Sequence, residues 1–233
     1  MNVLGVGVTV LNLETAVGAL AAALERGERG YVCVTGVHGV IESQADPELK
    51  RIHNRSLLTT PDGMPMVWLG RWGGHRTMGR VYGPELMEAV FAWSRAHGKT
   101  HFFYGGNTGV AEALKLRLEQ RFPGIRIVGS YTPPFRPLTA AEFEELRSKV
   151  ASVQPDFFWV GLSTPKQERF MAEHLQKLDA KIMLGVGAAF DFHAGKVTQA
   201  PRWIQRSGFE WLFRLCAEPR RLDRKSTRLN SSH

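Results

Sequence analysis

The chain has only two cysteines, Cys33 and Cys216, in 233 residues. They are too few for a disulfide framework and lack metal-ligand spacing, so a reducing compartment is expected. No apolar run reaches the roughly 18–20 residues of a membrane span, and the N-terminus lacks the charged start and cleavage site of a secretory signal. There is no Walker loop, and Gly5-Val6-Gly7 puts Val10 where a dinucleotide fingerprint needs its third glycine. A Tyr-x-x-x-Lys pair in a suitable helix is also missing. These absences weaken kinase, dehydrogenase and epimerase readings. No second histidine or carboxylate stands at ligand spacing from His193, so no metal is expected there.

What is present describes a globular protein. Hydrophobic residues make up 43% and charged residues 22%, which excludes wholesale disorder. The length suits one α/β domain, or one domain with an appendage. The formal charge is +8, and it is unevenly placed. Between Arg202 and Arg228 stand eight basic and three acidic residues, which supply +5 of it. A basic terminal segment points to phosphate, whether in nucleic acid, an anionic membrane or a phosphorylated substrate.

Strands and helices alternate along the chain. Short β-rich runs occur at 31–35, 57–60, 101–104, 125–129, 157–161 and 181–186, each bounded by Gly, Pro or polar residues. Helical stretches are expected over 13–26, 64–72, 84–97, 108–122, 139–152 and 165–178. Thr139 followed by Glu142 is a capping-box signature. The alternation implies a Rossmann-like α/β fold, a mainly parallel sheet flanked by helices. A helical appendage, basic and aromatic, follows at the C-terminus. The expected division is a catalytic domain over 1–200, the appendage over 201–224, and a disordered or non-native tail over 225–233.

In such folds ligands bind beyond the carboxyl ends of the strands. Thr35-Gly36-Val37-His38-Gly39 reads either as a glycine turn or as a polar contact through Thr35 and His38. Thr60-Pro61-Asp62-Gly63 reads either as a turn or as a carboxylate placed to act as a general base. Gly105-Gly106 before a helix start suits a phosphate. Gly161-Leu162-Ser163-Thr164-Pro165-Lys166-Gln167-Glu168 offers Ser163, Lys166 and Gln167 at a helix N-terminus, against the plainer reading of ordinary capping. Gly187, Phe190 and Asp191 follow the last strand, where small residues allow close approach to a sugar or base.

Taken in order, these segments resemble the WecG/TagA/CpsF glycosyltransferase family (glycosyltransferase family 26). The resemblance runs from near the N-terminus to Arg224. It is carried by Pro61-Asp62-Gly63, Arg80-Val81-Tyr82-Gly83, Phe103-Tyr104-Gly105-Gly106, the Pro165-Lys166-Gln167-Glu168 segment, Gly185 to Asp191, and Glu210-Trp211-Leu212-Phe213-Arg214. The resemblance implies a UDP-sugar-dependent hexosyltransferase that inverts the anomeric centre without a metal or other cofactor. Its acceptor is a polyprenyl-diphosphate-linked saccharide at the inner face of the cytoplasmic membrane. The donor sugar is of N-acetylmannosamine type, its uronic acid, or glucose, and the product belongs to cell-surface or exopolysaccharide synthesis. The resemblance makes Asp62 the base and assigns catalytic roles to Thr35 and Gln167. Substrate contacts fall on Arg80 and on Arg214, Arg221 and Arg224 of the appendage. Many members carry Pro-Asn after the threonine, where this chain has Gly36-Val37-His38, so that acceptor contact falls to His38 or is lost. A homo-oligomer is left open.

Inverting glycosyl transfer needs one base for the acceptor hydroxyl, unlike hydrolysis, which needs two carboxylates. The departing diphosphate needs cations and helix N-termini, and arginine grips phosphate in a bidentate manner. Other readings are a nucleic-acid-binding protein or a different Rossmann-type sugar-nucleotide enzyme. The first is disfavoured because charge is confined to one end and no nucleic-acid motif appears.

Overall fold

The computed structural model describes residues 1–195 together with Ala200, Pro201, Ile204 and Phe213. A small antiparallel hairpin, β1 (Asn2–Val3) and β2 (Val6–Gly7), precedes α1 (Leu13–Glu25). Then follow β3 (Gly30–Thr35), α2 (Val37–Ala45), α3 (Pro47–Arg55), β4 (Leu58–Pro61), α4 (Met64–Trp72) and α5 (Gly83–His97). The second half holds β5 (Thr100–Gly105), α6 (Val110–Arg121), β6 (Arg126–Tyr131), α7 (Ala140–Val153), β7 (Phe157–Gly161), α8 (Lys166–His174), β8 (Ile182–Gly185) and α9 (Ala189–His193). Six strands form one all-parallel sheet in the order β4-β3-β8-β7-β5-β6. All six strands expected from the sequence are present, with ends moved by one or two residues.

Period-two alternation builds a core on each face of the sheet. Val32, Phe103, Trp159 and Leu184 face one way, against α1, α5, α6 and α9. Cys33, Phe102, Phe158 and Met183 face the other way, against α3, α7 and α8. A third cluster joins the hairpin to α2 and α4 through Val6, Val40, Met66 and Met78. The expected capping box is formed: the Thr139 hydroxyl accepts from the Glu142 N–H, and the Glu142 carboxylate accepts from the Thr139 N–H. Arg136 clamps the same carboxylate through two bonds of 2.7 Å and, with the Thr139 bond, holds it down to about 2.

Two expectations at the strand ends are corrected. The helix after Gly106 starts only at Val110, because Asn107, Thr108 and Gly109 form a turn and Gly109 takes a positive φ of 77°. The helix after Pro165 stops at His174, four residues before its expected end. Arg214, Arg221, Arg224 and the tail 225–233 lie outside the described residues. Among the described residues, no helix is long and apolar enough to cross a membrane.

Two buried histidines, His53 on α3 and His101 on β5, are kept neutral. Burial holds His53 down to about 4 and His101 down to about 3. The Trp159 indole N–H donates to His101 Nδ1 at 3.0 Å, fixing the tautomer with the proton on Nε2. Both groups bind fewer protons in the folded chain than in the unfolded one. Their stabilisation is therefore complete above pH 6.5 and lost as the pH falls from there toward 4 and 3. Urea midpoints measured across this range should show an acid limb, to which each histidine adds up to about 1.4 kcal/mol per pH unit. His53→Gln should remove its share and leave that of His101; an unchanged limb would show that His53 is not held neutral.

Candidate active site

The chain leaves β3 toward α2 and α3, on one face, and leaves β8 toward α9, on the other. These adjacent strands open a crevice at their carboxyl ends, as doubly wound sheets do where successive connections diverge. A cleft enclosing about 450 Å³, its open mouth included, lies there. Asp62, Tyr82, Thr164, Gln167, Gly187 and Phe192 are among its walls.

Backbone geometry fixes Asp62. Its N–H donates to the Thr35 carbonyl at 3.0 Å, extending the pairing of β4 with β3 by one residue. Gly36 lies so close that a Cβ there would stand 2.9 Å from the Asp62 carbonyl oxygen. Gly63 follows with φ of 90°, a conformation open to glycine, and α4 then begins. The carboxylate thus stands on a clamped turn at the cleft wall.

Another part of the wall is organised around Gln167, in the first turn of α8. Its Oε1 accepts from the Gly187 N–H at 3.0 Å, and its Nε2 donates to Glu168 Oε1 at 3.0 Å. The same carboxyl oxygen accepts from the Thr164 hydroxyl at 3.0 Å. Glu168 is fully buried, and burial raises its pKa above the usual carboxylate value. Its Oε2 has no hydrogen-bond partner among the described residues. Glu168 thereby orients the Gln167 amide and ties α8 to the loop after β8. Sequence reasoning passed over Glu168: the Pro-Lys-Gln-Glu motif carries it, but nothing in the sequence shows that it is buried.

Of the residues expected at the site, Asp62, Gln167 and Gly187 come together on the cleft. Thr35 is 2% exposed, and its hydroxyl sits 3.2 Å from His53 Nδ1, so its direct link to the cleft is the carbonyl that holds Asp62. Arg80 lies beneath the cleft residue Tyr82, with its guanidinium 4.6 Å from the ring centroid and 3.1 Å from Glu85 Oε1. His38 stands exposed on the first turn of α2, 3.9 Å from Glu42. Ser163 contributes a carbonyl to the start of α8, and Lys166 is exposed beside it. Phe190 is a core residue packed edge-on against Phe103, and Asp191 is half-buried on α9.

Gly105 and Gly106 are explained by strand contacts. A Cβ on Gly105 would fall 2.6 Å from the Gly161 carbonyl oxygen, and the Gly106 N–H donates to that same oxygen at 3.2 Å. Among the described residues, no group of three or more His, Cys, Asp or Glu is placed to hold a metal ion. The sequence missed Tyr82 and Phe192 as wall residues, although Tyr82 stands in the Arg-Val-Tyr-Gly motif.

The profile of the glycosyl transferase WecG/TagA/CpsF family matches residues 1–231. The chain belongs to this family. Three relatives carry the name N-acetylglucosaminyldiphosphoundecaprenol N-acetyl-beta-D-mannosaminyltransferase. That of Bacillus spizizenii is 26% identical over 85% of the chain and 75% of its own length. That of Bacillus subtilis is 28% identical over 70% of the chain and 62% of its own length. That of Staphylococcus aureus is 28% identical over 62% of the chain and 55% of its own length. The glycosyltransferase family match thus coincides with a cleft at the carboxyl ends of a parallel sheet that is lined from both the Pro-Asp-Gly and the Pro-Lys-Gln-Glu motif.

Proposed function

We propose that the chain transfers an N-acetylmannosamine-type sugar from a UDP-sugar to an N-acetylglucosamine-diphosphate-polyprenol, with inversion at the anomeric carbon. The observation that carries this reading is Asp62: a carboxylate held by its backbone at the wall of a cleft that Gln167 also lines. In the proposed reaction the carboxylate takes the proton of the acceptor hydroxyl as its oxygen bonds to the anomeric carbon. The bond from that carbon to the diphosphate breaks, and UDP leaves with the electron pair. One carboxylate suffices for such a step. The relatives' names support the acceptor and sugar classes.

Cations for the departing diphosphate are assigned to Arg80 and to the appendage residues Arg214, Arg221 and Arg224, on the family resemblance. Arg80 already holds its guanidinium next to a cleft wall residue. The division into a catalytic domain over 1–200 and an appendage over 201–224 belongs to the same proposal, as does action at the inner face of the cytoplasmic membrane. The test is a panel of UDP-sugars offered with a short-chain polyprenyl diphosphate bearing N-acetylglucosamine, read as UDP release. Release that requires both partners is expected; release without acceptor, or with no donor in the panel, overturns the reading. Transfer should also survive EDTA with its rate unchanged, and strict dependence on a divalent ion would contradict the metal-free step.

A further inference from the structure

Helix α4 is apolar nearly all round, yet only one side of it is covered. Met66, Val67 and Gly70 are buried, and a Cβ on Gly70 would collide with the Met78 sulfur. At 100° per residue, Trp68, Leu69 and Trp72 fall within one arc on the opposite side. They are 38%, 45% and 82% exposed. The neighbouring α2, joined to α4 through the contact cluster of Val40 and Met66, exposes Val37 and Ile41 in the same way. A helix that is apolar all round is ordinarily buried in protein or lipid.

Charge accompanies the arc. Residues 64–79 contain Arg71 and Arg76 and no acidic residue. Arg71 and Arg76 are exposed, and the Arg71 Nε donates to the Met78 carbonyl at 3.0 Å, which anchors the side chain at the edge of the apolar arc. Tryptophan and leucine flanked by arginine suit the headgroup layer of an anionic bilayer, where rings sit at the apolar boundary and guanidinium groups meet phosphate.

We infer that the outer face of α4, rimmed by α2, is a docking surface for an anionic lipid bilayer that seats the cleft over its lipid-linked acceptor. Position supports this occupant. Helix α4 starts one residue after Gly63, next to Asp62, and its nine residues extend for about 14 Å. A diphosphate standing on a polyprenol stays at the bilayer surface, so the base that acts on it must lie within a short reach of that surface. The inference rests on the proposed acceptor for its purpose, but its test does not depend on transfer.

Full-length protein is sedimented with vesicles of phosphatidylcholine, with and without phosphatidylglycerol. Binding should favour the anionic vesicles. Trp68→Ser with Trp72→Ser should weaken it about tenfold or more, as expected for withdrawing two large side chains from an interface. The more exposed Trp72→Ser alone should weaken it in the same direction and guards against a folding defect in the double variant. Equal binding by wild type and both variants overturns the inference. So does a wild-type oligomer in light scattering that Trp72→Ser splits, since a second copy would then own the surface. Vesicle binding that drops in the variants, in a protein that releases no UDP from any donor, would keep the surface and reject the transferase reading.

Discussion

Asp62→Asn is expected to lower kcat by about 10²–10⁴-fold, the range that general-base catalysis contributes. The substitution keeps the size and shape of the side chain and removes its capacity to accept a proton. The backbone of the turn is held by main-chain contacts, the Asp62 N–H on the Thr35 carbonyl and the tight approach of Gly36, which the substitution keeps. Thermal unfolding should therefore match the wild type, and KM for the donor should change little. The check is UDP release at saturating donor and acceptor, beside a melting curve. A turnover near that of the wild type would remove Asp62 from the role of base.

Glu168→Leu is expected to cost about 1–3 kcal/mol of stability, since the buried Gln167 amide loses its acceptor, as does the half-buried Thr164 hydroxyl. Turnover should fall with it, because the Gln167 amide also holds the Gly187 N–H of the cleft wall. Glu168→Gln keeps an acceptor oxygen in place and should retain most of both. A pH signature separates orientation from mere bulk. Burial raises the Glu168 pKa, so the folded chain holds this proton more tightly than the unfolded chain does. The stability linked to it is complete below the unfolded carboxyl pKa and declines as pH rises toward the folded one. Glu168→Gln removes the titrating group and should abolish that decline. Chemical denaturation at several pH values reads both effects; a Glu168→Leu protein as stable as the wild type would discard the network as an organising element.

The architecture was largely legible in the sequence, because five of the six strands are buried and leave compact runs between turn residues, while the half-exposed edge strand β6 is marked by its β-branched residues. All six appear as short runs such as Phe157-Phe158-Trp159-Val160, and the capping box at Thr139 marks α7 directly. Three helices have no counterpart among the expected ones: the five-residue α9, and α2 and α3. Helix α2 opens on Gly36-Val37-His38-Gly39, where two glycines and a β-branched valine oppose a helix, and Gly36 provides no side-chain cap. Helix α3 does carry a signal, Asp46 capping Leu49 with Pro47 in the first turn, and it went unread. Strand order is a long-range property and is not written in any local pattern. Gly105 shows the limit at the site: glycine before a helix suggests a phosphate, and only the neighbouring strand reveals that Gly161 leaves no room for a side chain. Asp62 and Gln167 were found through motif resemblance, whereas Glu168 needed the fold, since a carboxylate becomes an organiser only where it is buried.

The most direct measurement is the mass of the acceptor lipid after incubation with donor and full-length protein. The account predicts a gain of one N-acetylhexosamine residue on the N-acetylglucosamine-diphosphate-polyprenol with wild type and, over the same initial interval, at most about 1% of that gain with Asp62→Asn. An acceptor that gains no sugar with any UDP-sugar, or gains it equally with Asp62→Asn, would contradict the account.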